Sequence, residues 1–204
     1  MVYLENLKPP VRTGRNGPSI GRVCQEAGDR GSVLVGEATE RAANQAIADS
    51  GLQITDANRD DIAVVVNTGG GGLDEVAQGH QTFLERGGQR VSPFMVPMLS
   101  PSMAACQESI QNGLRGPVVA SVAACASGVQ AFIEAQRMIE HGDADVVIAG
   151  GTESTMMPVA FAALANMGAL SKRNDDPQRA SRPFDGQRDG FVFGEGAGIL
   201  VIES

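Results

Sequence analysis

One stretch of the sequence, residues 118–128, decides the fold: it reads Val118-Val119-Ala120-Ser121-Val122-Ala123-Ala124-Cys125-Ala126-Ser127-Gly128. Its first half is a run of β-branched and small residues, which predicts a buried strand over Val118–Val122. Its second half opens a helical pattern that continues from Cys125 to His141. In that helix we expect apolar residues to face inward (Val129, Phe132, Ile133, Ile139) and polar ones outward (Gln130, Glu134, Arg137).

Helical and apolar segments alternate on both sides of this stretch. Helices are predicted over residues 33–50, 73–86 and 102–113. Strands are predicted over 62–66 and 145–149, and a last strand pair or bent strand over 190–202. Because these strands lack polar alternation, they indicate an α/β fold with a mostly parallel sheet and helices on both faces. The Pro- and Gly-rich residues 1–30 predict an irregular leader ahead of a domain over 31–204.

Composition and charge exclude several classes of protein. The net charge of −8 argues against nucleic acid or an anionic membrane as the main partner. The longest weakly polar stretch, Val159–Leu170, is too short to span a bilayer, and the first residues lack the order of a signal peptide. The three cysteines show no disulfide or zinc-ligand spacing. We therefore expect a cytoplasmic protein with no metal and no cofactor.

The position of Cys125 suits a nucleophile. Unfilled N–H groups at a helix start stabilise a thiolate, and they can also stabilise the oxyanion formed on an attacked carbonyl. Such a thiol can accept an acyl group as a thioester. Free cysteine is also among the most buried residue types, so spacing alone leaves a structural role open. Cys24 and Cys106 are interpreted as packing residues.

Two other segments allow a binding or a structural interpretation. The glycine run Gly69–Gly72 follows a predicted strand, but it lacks the Lys-Ser/Thr of a phosphate loop, so a close-packed turn is favoured. The charged residues of the segment 181–189 are expected to form an internal ion-pair network that holds a loop; they are Arg182, Asp185, Arg188 and Asp189.

Several motifs in a common order resemble those of the β-ketoacyl synthase family. The nucleophile motif of that family is similar to residues 123–128. Further matching segments are Val91–Pro97, Gly113–Pro117, Gly142–Glu153, Leu170–Pro177, Ala180–Asp185 and Arg188–Gly198. The resemblance runs from about residue 33 to the end, and it is strongest to the elongating synthases of dissociated bacterial fatty-acid synthesis.

The resemblance implies a thiolase-like half-domain in which Cys125 takes an acyl chain from acyl carrier protein. Malonyl-acyl carrier protein would then lose carbon dioxide and attack the thioester, a decarboxylative Claisen condensation of fatty acid biosynthesis. The segment Met98–Ala105 would line part of an acyl tunnel. The strand before Cys125 would lie at a homodimer interface.

The family's reaction also uses groups that this sequence lacks. Decarboxylation there depends on two histidines and a lysine in the carboxyl-terminal half, whereas His80 and His141 are interpreted here as structural or solvated. The first family strand, of type V-V-V-T-G-x-G, has no counterpart before Gly31. We therefore expect an amino-terminal half truncated at both ends. The alternative is a natural short protein whose missing parts come from another chain.

Three other functions share part of the pattern. A polyketide ketosynthase has the same motifs. A thiolase also places a cysteine before a Ser-Gly pair, but Arg182–Asp185 and Gly194–Gly198 favour a synthase. A non-catalytic partner subunit typically lacks the nucleophile, and the presence of Cys125 argues against it.

Overall fold

A computed structural model of the chain describes the backbone of residues 33–204 and the side chains of residues 37–204. The predicted irregular leader, residues 1–30, lies outside this range, and so do the residues before Gly31 in which no first family strand is predicted. The described residues divide into two compact units, 33–155 with 196–204, and 156–195. No helix in the described range is both long enough and apolar enough to cross a bilayer.

The larger unit alternates helices with strands, as the sequence predicts. Its helices are α1 (Val33–Ser50), α2 (Leu73–Arg86), α3 (Met95–Leu99), α4 (Met103–Gln111) and α5 (Ser127–His141). Its strands are β1 (Ile62–Asn67), β2 (Val118–Val119), β3 (Val146–Glu153) and β4 (Gly196–Glu203).

The strands form one sheet in the order β2-β1-β3-β4. Strand β1 pairs in parallel with both β2 and β3, so Val64 lies opposite Val118 on one side and Ile148 on the other. Strand β4 runs antiparallel to β3 and places Gly198 opposite Gly151. The prediction of a mostly parallel sheet is confirmed. The last predicted strand segment is a single antiparallel strand that begins only at Gly196.

Helices cover both faces of this sheet, and every residue of β1 is therefore buried. Ile62, Val64 and Val66 pack with α1 and α4 on one face. Ala63 and Val65 pack on the other face with Ala131 and Ala135 of α5, and their neighbours there include Val147 and Ala149 of β3. The expected helix–sheet–helix layering is therefore confirmed.

The strand before Cys125 is shorter and more exposed than predicted. Only Val118 and Val119 pair as strand; Val118 is exposed and Val119 is half-buried. The reason is position: within residues 33–204, β2 lies at the edge of the sheet and pairs with β1 alone. The prediction of a buried strand over Val118–Val122 was therefore wrong in length and in burial.

The helix after Cys125 also differs from its predicted pattern. It begins at Ser127, and its buried apolar residues are Ala131 and Ala135. Phe132 and Ile139 pack against the core as predicted, whereas Val129 and Ile133 are exposed. Small side chains permit a close approach between helix and sheet, so the larger β-branched residues lie away from that contact. Glu134, expected to face outward, is partly buried.

The smaller unit contains α6 (Pro158–Asn166) and a long irregular loop. Phe193 makes edge-to-face contacts with Phe161 and Phe191, at centroid distances of 5.7 and 6.3 Å. Leu170 forms a parallel bridge with Phe191. These contacts tie the helix to both ends of the loop.

Candidate active site

Cys125 lies in a single 3-10 turn, Ala124–Ala126, between β2 and α5. It is a free thiol and its side chain is exposed. The hydroxyl of Ser127 braces the turn from inside: Oγ accepts from the Ala123 N–H at 2.9 Å and donates to the Ala124 carbonyl at 2.7 Å. The turn thus presents the thiol to solvent two residues before Ser127, the first residue of a 15-residue helix.

The residue before the cysteine has a strained backbone. Ala124 has a φ of 50°, in the left-handed region that side chains with a Cβ rarely occupy. Such a conformation costs on the order of 1–3 kcal/mol and persists only where the surroundings impose it. Contacts with the surrounding residues must therefore hold this turn in its strained conformation.

Asn67, the last residue of β1, joins the two ends of the segment that carries Cys125. Its side chain is fully buried. Oδ1 accepts from the Ser121 N–H at 2.8 Å, and Nδ2 donates to the Ser127 carbonyl at 3.1 Å. Nδ2 also lies 3.0 Å from Ser121 Oγ and 3.3 Å from Glu134 Oε2. One amide therefore spans residues 121 and 127.

Glu134 completes this buried polar cluster. Its Oε1 accepts from Ser121 Oγ at 2.7 Å and from Gln130 Nε2 at 3.1 Å. Partial burial raises the pKa of Glu134, but hydrogen bonds from Ser121, Gln130 and Asn67, together with the Arg137 charge, outweigh it and leave the pKa below its ordinary value. The carboxylate is thus held ionised as a hydrogen-bond acceptor.

The glycine run forms a close-packed turn whose amides bind a carboxylate of the protein itself. Glu153 Oε2 accepts from the N–H groups of Gly69 and Gly70 at 3.0 and 2.9 Å. A Cβ on Gly72 would overlap the Met98 carbonyl, since the run packs against α3 and its carboxyl-terminal end. Glu153 therefore occupies the amides that a phosphate would need, and the structural interpretation of the run is confirmed.

Two glycines bring α5 directly against β3 behind the turn. A Cβ on Gly151 would lie 2.7 Å from the Cα of Gly128 and 3.2 Å from its nitrogen. Both atoms belong to backbone, so a side chain could be accommodated only if the helix start moved. The Ser-Gly pair after Cys125 is thus a packing requirement of the site.

Replacing Gly151 by alanine is expected to destabilise the fold by about 1–3 kcal/mol, because the new methyl group overpacks this helix–strand contact. Urea unfolding followed by circular dichroism measures the effect. Gly198 is the matched control: it lies opposite Gly151 in the sheet, and a Cβ there meets nothing within 4 Å. Equal losses of stability in Gly151→Ala and Gly198→Ala would contradict the close-packing argument.

The two histidines and Cys106 lie outside this turn. His141 is the last residue of α5, whose 15 residues span about 22 Å, so it stands at the far end of the helix from Cys125. His80 is exposed on α2, and Cys106 is half-buried on α4. Cys24 lies outside the described residues. Among residues 37–204, no cluster of three or more His, Cys, Asp or Glu side chains has an arrangement that could hold a metal ion.

The charged loop of the smaller unit forms ion pairs, with one partner that the sequence interpretation did not include. Arg182 pairs with Asp185 at 3.5 Å, but Asp189 pairs with Arg173, also at 3.5 Å. The Lys172 N–H and the Ser171 hydroxyl donate to Asp189 at 2.9 and 2.7 Å. These bonds, with the Arg173 charge, hold the pKa of Asp189 below its ordinary value. The network therefore orders residues 171–189.

The chain belongs to the β-ketoacyl synthase family: residues 37–204 match the family model for the beta-ketoacyl synthase N-terminal domain. A 3-oxoacyl-[acyl-carrier-protein] synthase 2 of Vibrio cholerae is 48% identical over 159 residues, which cover 78% of this chain and 38% of that protein. The corresponding protein of Synechocystis is 46% identical over 162 residues, covering 79% and 39%. The chain thus spans about two fifths of the length of these relatives.

Solved structures show the same fold. A β-ketoacyl synthase from Burkholderia phymatum is 34% identical with a TM-score of 0.75, covering 83% of this chain and 42% of that one. A type II polyketide ketosynthase, solved in complex with its acyl-carrier protein, is 29% identical with a TM-score of 0.72, covering 83% and 43%. The structural neighbours are thiolase-like ketosynthases, as the sequence resemblance implied.

Sequence reasoning missed the polar cluster beneath the turn. Asn67 ends a strand whose other residues are all apolar, and Glu134 lies one turn from Gln130 on α5. A polar residue directly after an all-apolar strand was the available signal for Asn67. Nothing local indicated that Glu134 would turn toward the sheet.

Proposed function

We propose that this chain supplies the nucleophile-bearing half of a β-ketoacyl-acyl-carrier-protein synthase of fatty acid biosynthesis, with Cys125 as the acyl acceptor. The observation that carries the proposal is the geometry of the turn. Cys125 is exposed, lies two residues before the start of a 15-residue helix and follows a residue held at positive φ. The turn lies beside the carboxyl ends of parallel strands, where ligands bind in open α/β sheets.

The first step is a thiol exchange. The Cys125 thiolate attacks the thioester carbonyl of an acyl-carrier protein, and the carbon–sulfur bond to the carrier breaks as the bond to Cys125 forms. The carrier thiol leaves with the proton that Cys125 gave up. Backbone N–H groups at the start of α5 are suited to stabilise both the thiolate and the oxyanion of the intermediate.

The second step is a decarboxylative condensation with malonyl-acyl carrier protein. It needs acid–base groups near the thioester, and His141 lies about 22 Å along α5 from the turn. Because the chain spans about two fifths of its relatives, we assign this step to residues outside these 204. The segment Met98–Ala105, which packs onto the glycine run beside the turn, is proposed to line the acyl tunnel.

We further propose a homodimer in the cytoplasm that docks acyl carrier protein. Exposed β-branched residues cluster on the edge strand β2, the segment after it and the nearby face of α5: Val118, Val122, Val129 and Ile133. A second copy would cover these side chains and the unpaired edge of β2. The neighbour solved with its own acyl-carrier protein supports the choice of partner.

Acyl transfer to this chain is the direct test. After incubation with octanoyl-acyl carrier protein, mass spectrometry should find one octanoyl group on the peptide that contains Cys125. Neutral hydroxylamine should remove it, because the bond is a thioester. Holo-acyl carrier protein without the acyl group is the control. Absence of the adduct, or an adduct on Cys106 instead, would count against the proposal.

A polyketide ketosynthase is the second candidate. One similar solved structure is a type II polyketide ketosynthase at 29% identity, and another is a ketosynthase/chain length factor at 27%. The fatty-acid synthases at 46–48% identity favour the first candidate.

A further inference from the structure

We propose that Asn67 is a positioning residue for the nucleophile: its buried amide clamps Ser121 and Ser127 together and thereby holds the strained turn that presents Cys125. The inference rests on the proposed role of Cys125 as the acyl acceptor. Asn67 does not itself contact a reacting atom. It acts through the backbone on both sides of the cysteine.

The clamp follows from which atoms the amide binds. Oδ1 accepts a hydrogen bond from the N–H of Ser121, four residues before Cys125. Nδ2 donates one to the carbonyl of Ser127, two residues after Cys125. Both bonds cross from the central strand β1 to the nucleophile segment, with sequence separations of 54 and 60 residues. The ends of the segment are therefore tied to the most buried strand of the fold.

Glu134 sets the orientation of the Asn67 amide. An ionised carboxylate only accepts hydrogen bonds, so the NH2 end of the amide must face it. Glu134 Oε2 lies 3.3 Å from Nδ2, which leaves Oδ1 directed at the Ser121 N–H. The other oxygen of this carboxylate, Glu134 Oε1, accepts from the Ser121 hydroxyl at 2.7 Å. These contacts fix which end of the amide is Oδ1, and the two hydrogens on Nδ2 are shared among the Ser127 carbonyl, Ser121 Oγ and Glu134 Oε2.

The clamp is needed because the backbone at Ala124 is strained. A free segment of this sequence would relax Ala124 toward negative φ and rotate Cys125 away from the helix start. The Ser127 hydroxyl ties the middle of the turn, but Ser127 is itself fixed through its carbonyl to Asn67. Without that bond, Ser127 is anchored by α5 alone, and the turn loses its tie to β1.

The test measures alkylation of Cys125 by iodoacetamide, with Cys106 in the same chain as the internal reference. Asn67→Ala should lower the Cys125 rate about fivefold to tenfold, the size expected for losing two buried hydrogen bonds. Cys125 is already exposed, so loosening the turn adds little access. The alkylation rate of half-buried Cys106 reports general loosening of the fold. Such loosening would raise the Cys106 rate and leave the Cys125 rate unchanged.

Two further variants sharpen the result. Asn67→Leu keeps a side chain of similar size, so it leaves no cavity, but it loses both hydrogen bonds; it should show the same fall even if the alanine variant does not fold. In an Ala124→Gly background, positive φ carries no penalty, and Asn67→Ala should then reduce the Cys125 rate less than it does in the parent chain. Gln136→Ala, which removes an exposed bond to Glu140 on the same helix, is the control.

The proposal is overturned if Asn67→Ala and Asn67→Leu leave the Cys125 rate unchanged, or if Ala124→Gly does not reduce the effect. It is also overturned if only Cys106 labelling changes, because Asn67 would then serve stability alone. Octanoyl transfer to the unmodified chain is measured separately. Failure of that transfer removes the proposed function, while the alkylation rates still decide whether the clamp exists.

Discussion

Cys125→Ser is expected to reduce octanoyl transfer to the chain by at least about a thousandfold, the scale on which enzymes lose rate when their nucleophile is removed. Serine has nearly the same size, so the turn and its hydrogen bonds should survive. What changes is chemistry: a serine hydroxyl is a much weaker nucleophile toward a thioester carbonyl than a cysteine thiol. Transfer is followed by intact-protein mass spectrometry over time.

Cys106→Ser is the matched control for this result. Cys106 is half-buried on α4, and its N–H donates to the carbonyl of Ser102, the residue before that helix. Its replacement should leave transfer within twofold of the parent chain. Retention of octanoyl transfer in Cys125→Ser, or its loss in Cys106→Ser, would contradict the assignment of the nucleophile.

Glu108→Gln is expected to stabilise the fold at pH 8 by up to about 3 kcal/mol. Glu108 lies on α4, and its side chain is almost completely buried. Burial is the largest cause that raises its pKa from 4.5 to about 7; a hydrogen bond from Asn112 at 2.6 Å opposes the rise, and the negative charge of Glu40 adds to it. Glutamine can accept the same bond without carrying a charge.

The sign of the pH dependence follows from the raised pKa. Below pH 4.5 the carboxyl is protonated in both the folded and the unfolded chain, so it costs nothing. Between pH 4.5 and about 7 the unfolded chain ionises first, and the stability of the fold falls as pH rises. Above about pH 7 both states are ionised and the loss is constant. The Gln variant should lack this fall.

Urea unfolding at pH 4.5, 6 and 8 measures the difference between the two chains. Glu140→Gln is the control, since Glu140 is exposed at the end of α5. It should keep the full pH dependence of the parent chain. Equal stabilities of the parent and Glu108→Gln at pH 8 would show that the buried carboxyl is not destabilising.

The elements that sequence reasoning placed correctly are those with a strong local signal. Strand β1 is a continuous apolar run that cannot alternate between solvent and core, and it is buried along its whole length. The helices over 33–50 and 73–86 were placed at their observed bounds, because the periodic pattern and the glycines after each helix coincide.

The errors occur where the neighbours of a residue decide its environment. Val129 and Ile133 were placed inward because apolar side chains usually are, but the close contact of Gly128 with Gly151 turns Ala131 and Ala135 toward the sheet. Glu134 was placed outward because it is charged, yet Ser121 and Asn67 supply it with donors beneath the turn. Neither donor is near Glu134 in sequence.

For this protein the sequence alone determined the α/β class, the order of most elements and the position of Cys125 between strand and helix, since those properties rest on local pattern. Tertiary structure alone decided the edge position of β2, the antiparallel β4 and the polar cluster that ties Asn67 to Ser121 and Ser127. The physical reason is that these hydrogen bonds and contacts join segments more than 40 residues apart, and no local pattern contains their distances.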